Sequence, residues 1–411
     1  MAEQIPPAWR QEVPSDGNDV QADARGNGRT AHGDMPNPST NSSPAGGRPE
    51  SADAPLRGGD GGSEGWRGAA ARRQAYAAID LGTNNCRLLI ARPSGENFIV
   101  VDAFSRVVRL GEGLAQTGRL SQQAMDRALS ALQICSDKLR RRNVHLARSV
   151  ATEACRRAEN GYDFIDRVKR ETGIVLDIIS AREEARLAVL GCHILLEPGI
   201  GPAMIFDIGG GSTELVLIES GPTVPRILDW KSVPWGVVSL TETCGPEGDG
   251  LPARVARYAE MRRLVAESFA DFAERIGPAR ESATLEHELR LLGTSGTVTT
   301  LASLHLELPQ YDRRAVDGLN VPAEAMRDIS TRLSSMSPEE RRELPCIGRE
   351  RADLVVAGCA ILETILDLWP AARLGVADRG IREGILRSLM AGGSTSARIG
   401  AALRARQGGT A

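Results

Sequence analysis

Two stretches of this chain, "IDLGTNNCRLLIA" at residues 79–91 and "FDIGGGSTELVLI" at residues 206–218, align without a gap. Asp80 matches Asp207, Leu81 matches Ile208, Gly82 matches Gly209 and Leu88 matches Leu215. Each reads as an apolar strand, an Asp-apolar-Gly corner, a tight turn of small residues and a second apolar strand. Glycine inside a strand costs stability, because it packs nothing and loses much backbone freedom. Hairpins with glycine turns are common. The same corner heading each half of one chain, however, marks an internal repeat and constrains the fold to two like α/β units.

The turns suggest what the glycines are for. A glycine-rich bend lets several backbone N–H groups converge, forming a nest that fits a phosphate closely. Thr83, Asn84, Ser212 and Thr213 are expected to add side-chain donors. An aspartate at the end of the first strand repels phosphate, but it can hold a divalent cation, or a water on one, that bridges to phosphate oxygens. A P-loop needs Gly-Lys-Ser/Thr, and a dinucleotide-binding turn opens a helix. Here strands follow both turns, "RLLIA" and "ELVLI". Two such hairpins facing each other across a cleft resemble the actin, sugar kinase and heat-shock ATPase superfamily. That resemblance implies an α/β fold of two ribonuclease H-like domains with the active site between them.

Around the hairpins, residues 1–73 are rich in Gly, Pro, Asp, Ser and Asn. Such a stretch buries too little to offset its ordering entropy and is expected to be a disordered tail. A first domain is expected over 74–198, a second over 199–392 with a last helix able to pack back on the first, and a flexible tail over 393–411. Strand-to-helix junctions and an N-cap at Ser121 fit this α/β reading. The formal net charge of −3 gives no basic field for nucleic acid. No apolar run reaches a membrane span, and the first residues lack an export signal. The seven cysteines are scattered and read as reduced core residues of a cytoplasmic protein. The five histidines form no zinc motif, so any metal would be a hard one held by carboxylates.

Three further stretches carry candidates. In "ISAREEARL", Ser180 reads as an N-cap and Glu183 as the closing residue of a capping box. Its neighbour Glu184 points elsewhere on the helix and reads as a general base for a water attacking phosphorus. "VATEACRRAEN" offers Thr152 and Arg156 to anionic oxygens near a helix N-terminus, although a basic surface helix has the same spacing. "LGTSGTVTTLA" is a third glycine turn opening a helix. Alone it reads as a cap; after two phosphate hairpins it reads as the remaining wall of the cleft.

Taken in order, "AAIDLGTNNCRLLIAR", "ATEACRRAEN", "EEARLAVLG", "DIGGGSTELV", "WGVVSLTE", "GTSGTVTTLA" and "VADRGIREGIL" resemble the exopolyphosphatase / guanosine pentaphosphate phosphohydrolase family. The resemblance implies magnesium-assisted removal of terminal phosphate from inorganic polyphosphate or, alternatively, from the 5′ end of guanosine pentaphosphate. It implies Glu184 as catalytic base, with Asp80, Asp207 and Glu214 at the metal and its water. Phosphates would be held by Gly82, Thr83, Asn84, Asn85 and Arg87, and by Gly209, Gly210, Gly211, Ser212 and Thr213. Thr152 and Arg156, and Gly293, Ser295, Gly296 and Thr297 of the third turn, complete the expected set. It also tilts towards a homodimer. The chain departs from the family's pattern in Ser180-Ala181 where Ser-Gly is usual, in "GTNN" at the first turn, and in lacking the helical domain of the long members. A kinase on the same hairpins and a non-hydrolysing, nucleotide-binding actin-like regulator are the rival readings. A carboxylate aimed at water disfavours both.

Overall fold

The computed structural model describes residues 74–391, apart from 96, 222–224, 287 and 349–350, together with the two-residue strand β1 (Gln11–Glu12). The remainder of the expected N-terminal tail and the expected C-terminal tail lie outside the described residues. Each half is built on a six-stranded sheet. In the first, β2 (Ala75–Leu81), β3 (Asn85–Ser94) and β4 (Asn97–Val107) form an antiparallel meander. β5 (Val144–Ala151) adds parallel to β2, β6 (Leu176–Ile178) adds parallel to β5, and β1 lies on the outer edge of β4. The second half repeats this order with β7 (Pro202–Ile208), β8 (Thr213–Glu219), β9 (Arg226–Val233), β10 (Arg290–Thr294) and β12 (Arg373–Ala377). There β11 (Asn320–Pro322) pairs antiparallel with β12. A three-strand meander whose first strand carries two parallel neighbours is the ribonuclease H-like sheet, present twice.

The register matches the sequence repeat residue for residue. Asp80 pairs with Arg87 across β2 and β3, and Asp207 pairs with Glu214 across β7 and β8. Both turns close alike: the Gly82 amide donates to the Asn85 carbonyl at 2.9 Å, and the Gly209 amide to the Ser212 carbonyl at 2.9 Å.

Outer helices cover one face of each sheet. In the first half these include α1 (Gln122–Arg141), capped by Ser121, then α2 (Glu153–Arg157) and α3 (Gly161–Thr172). The inner faces meet through α4 (Ala181–Cys192). In the second half α5 (Val237–Thr243) follows β9, and α6 (Leu251–Glu286), α7 (Gly296–His305), α8 (Ala323–Ser335) and α9 (Val355–Leu368) build the larger core. The chain is helical again over 381–391, here α10.

The inner layer is exchanged between the halves. Ala185, Val189 and Cys192 of α4 pack on Ala203, Ile205, Val216 and Ile218 of the second sheet. Ile381, Ile385 and Leu386 of α10 pack on Tyr76, Ala78 and Leu89 of the first. The two helices touch backbone to backbone. A Cβ at Gly191 would lie 1.9 Å from the Gly380 carbonyl oxygen, and one at Gly384 would lie 2.1 Å from that of Leu187. Among the described residues all seven cysteines are unpaired, and no helix is long and apolar enough to cross a membrane.

Candidate active site

Strand alternation delivers the carboxylates. Tyr76 and Ala78 share a face of β2, and the next residue on it is Asp80; Ala203 and Ile205 likewise lead to Asp207. On β8, Val216 and Ile218 lead back to Glu214. The apolar members of each face hold α10 or α4, and the acidic members emerge where those helices begin, at the cleft floor. Glu184, in the first turn of α4, is 7% exposed.

These four carboxylates feel one another. Burial pushes the Asp207 carboxyl up to about 7, helped by Glu184 and opposed by Arg87. Burial and then Asp207 push Glu214 up to about 8, although Ser212 Oγ donates to it at 2.8 Å and Ser232 Oγ at 3.0 Å. Burial, with Glu214 and Asp80, holds Glu184 well above the usual carboxylate range. Asp80 is raised for the same first reason, against Arg87 and Arg382. Its Oδ1 is buried with no hydrogen-bond partner among the described residues.

The glycine turns leave backbone donors open. The N–H groups of Thr83, Asn84, Gly210 and Gly211 have no acceptor among the described residues. The loops also nearly touch: a Cβ on Gly210 would lie 3.0 Å from Thr83 Cβ, and one on Gly211 would lie 2.6 Å from Thr83 Oγ1. The second set of glycines therefore serves close approach of the two loops as well as access to the amides. Gly82 and Asn85 close the first turn, and Arg87 stands beside Asp80.

Several expected donors are engaged elsewhere. The Ser212 hydroxyl proton goes to Glu214, and Thr213 Oγ1 donates to the Trp235 carbonyl at 2.6 Å. Neither hydroxyl is thus an open donor for phosphate, because each has a nearer acceptor inside its own hairpin layer. Arg156 donates to Glu184 Oε2 at 3.0 Å, to the Ile179 carbonyl at 2.7 Å and twice to Glu153 Oε2. Its guanidinium orients the Glu184 carboxylate. Thr152 is buried at the start of α2, its amide donating to the Leu81 carbonyl. Glu183 does not close a capping box: Ser180 Oγ accepts from its amide, but its carboxylate pairs with Arg148 and Arg186.

The third turn divides. Gly293 lies in β10, where a Cβ would meet the Phe206 ring at 2.4 Å, and Thr297 packs against Gly358 of α9. Both are placed by core packing. Ser295 caps α7, accepting from the Val298 amide at 3.1 Å, and Gly296 faces Arg351.

Arg382 is the cleft residue that sequence reasoning left out. It sits beside Ile381 at the start of α10, on the Ala78 side of the first sheet, and it favours the charged form of Asp80. A signal was present. "AREEARL" from Ala181 and "IREGILR" from Ile381 share Arg-Glu at the same helical position, so the internal repeat extends to the inner helices. In the second copy Gly384 stands where the first has Glu184.

Among the described residues no group of three or more His, Cys, Asp or Glu side chains is placed to hold a metal ion together. The donor set is all oxygen, with an unpartnered Asp80 atom and three further carboxylates raised by burial and, less, by one another. That set fits magnesium, which takes one or two carboxylates and fills its remaining positions with water and phosphate oxygens. It does not fit zinc, which wants nitrogen or sulfur ligands.

Comparison with known proteins agrees with this architecture. Residues 89–392 match the Ppx/GppA phosphatase family. Exopolyphosphatase 2 of Mycobacterium tuberculosis is 32% identical over 327 residues, covering 76% of this chain and 98% of that protein. The crystal structure of the Aquifex aeolicus member of the Ppx/GppA family is 28% identical and superposes with a TM-score of 0.61, covering 77% of this chain and 97% of that one. An exopolyphosphatase from Cytophaga hutchinsonii is 25% identical, with a TM-score of 0.67 over 78% of this chain and 98% of that one.

Proposed function

Because the chain belongs to the Ppx/GppA phosphatase family, we propose that it is an exopolyphosphatase, releasing terminal orthophosphate from inorganic polyphosphate by in-line attack of water. The observation that carries this reading is Glu184. It is a buried carboxylate with a raised affinity for protons, fixed by Arg156 and set among loops whose amides stand open.

In this reading the N–H groups of Thr83, Asn84, Gly210 and Gly211 take the terminal phosphoryl oxygens, where charge accumulates in the transition state. Arg87 and Arg382 supply positive charge on the first-sheet side. Arg156 holds Glu184 Oε2, so Oε1 is the oxygen that orients the attacking water and accepts its proton. The raised proton affinity suits that step, since a more basic carboxylate accepts the water's proton more readily than an ordinary glutamate. One or two of Asp80, Asp207 and Glu214 would hold magnesium, which when bound would supply positive charge against the phosphates.

The test is phosphate release with magnesium from long-chain polyphosphate and from guanosine pentaphosphate at matched enzyme. Polyphosphate should be the better substrate, and Glu184→Gln should lose activity by roughly 100-fold or more while staying folded. Release mainly from guanosine pentaphosphate would reassign the substrate. A folded Glu184→Gln protein with wild-type turnover would remove Glu184 from the chemistry.

A further inference from the structure

Helix α5, from the "WGVVSLTE" stretch, plays no part in the chemistry above, yet it is stitched to the second phosphate loop. The Val237 amide donates to the Gly209 carbonyl at 3.0 Å, the Val238 amide to Gly210 at 2.8 Å, and Ser239 Oγ to the Gly211 carbonyl at 3.1 Å. A Cβ on Gly236 would lie 2.3 Å from the Gly210 carbonyl carbon, so the helix start rests directly on the loop. The segment 108–113 is stitched to the first loop in the same way. The Val108 and Arg109 amides donate to the Asn84 carbonyl at 2.8 and 3.0 Å, and the Gly111 amide donates to the Thr83 carbonyl at 2.9 Å.

One side chain joins these two supports. Glu242, one helical turn beyond Val238, accepts the Gly113 amide through Oε1 at 2.9 Å, from the opposite side of the cleft. Gly113 has φ 73, a left-handed conformation that glycine adopts without strain. The result is a closed ring: first loop, segment 108–113, Glu242, α5, second loop. We infer that Glu242 is a positioning residue, a latch holding the two phosphate loops at their close approach before substrate arrives. The inference rests on the proposed hydrolysis for its kinetic consequence, but its structural consequence is independent of substrate.

The test uses the full chain as wild type, Glu242→Ala, Glu242→Asp and Glu242→Gln. Hydrogen exchange at the Gly113 amide and the radius of gyration from small-angle scattering are read without substrate. KM and kcat are read with polyphosphate and magnesium. Ala, and Asp with its shorter reach, should expose the Gly113 amide and expand the apo protein. Both should raise KM about tenfold, because only the closed fraction binds productively. kcat should stay within about twofold, because bound substrate closes the cleft itself. Gln keeps an acceptor oxygen and should behave as wild type in both readouts. Unchanged Gly113 exchange in Ala and Asp would overturn the latch, as would a fall in kcat at constant KM, or Gln as impaired as Ala. Should the wild type release no phosphate, the proposed function fails while the exchange and scattering results still decide the latch.

Discussion

Glu214 lies between Ser212 and Ser232 with its carboxyl pushed up to about 8, and Asp207 opposite it is raised to about 7. An unfolded carboxylate titrates near ~4. Between that value and about 8 the folded, metal-free protein keeps protons that the unfolded chain has lost, so stability falls as pH rises through this window. The melting temperature in the presence of a chelator should therefore drop from about pH 5 to about pH 8. Glu214→Gln, which needs no proton to stay neutral, should flatten that slope and melt higher than wild type at the alkaline end. Magnesium should restore wild-type stability most at the alkaline end and Glu214→Gln much less, as read by calorimetry. A wild-type curve flat across the window would mean that these carboxylates ionise freely in the folded state.

The crossing of α4 and α10 is an element-scale device, because two glycines bring backbone against backbone. Adding one methyl at Gly384 or Gly191 forces the helices apart, and overpacking of this kind costs roughly 1–3 kcal/mol. Gly384→Ala should lower the denaturation midpoint by a corresponding amount and loosen the placement of Glu184, visible as reduced kcat. Equal stability and activity would mean that the crossing yields without cost. How far such features were legible follows from their range along the chain. The hairpins, their register and the caps at Ser121 and Ser180 are set by neighbours a few residues away, and the sequence pattern displays them. The partner of the Thr213 hydroxyl, the Arg156 contact with Glu184 and the Phe206 ring against Gly293 come from distant segments. A linear motif shows that such residues are present without showing what they face. Arg382 was missed for a related reason: its meaning depends on α10 crossing to the first sheet, where it meets Asp80.

At the scale of the whole molecule, neither half is closed by its own chain. The first sheet's inner face, with Ala78, Leu89 and Ala91 fully or nearly fully buried, is covered partly by Ile381, Ile385 and Met390 from the end of the second half. Expressing residues 74–198 alone should expose that face. The fragment is expected to bind a hydrophobic dye and aggregate, and to be improved by fusing 381–391 through a flexible linker. A soluble, cooperatively melting fragment without the fusion would show that α10 is dispensable to the first sheet. The same crossing carries a historical constraint. If the two halves descend from one duplicated ancestor, the copies have diverged at the position held by Glu184 in one and Gly384 in the other. Any side chain at 384 must first displace the Leu187 backbone, so a second acid cannot be regained by a single tolerated substitution. Packing at that position, independently of any selection for activity, therefore opposes a second acid and keeps the two halves unlike.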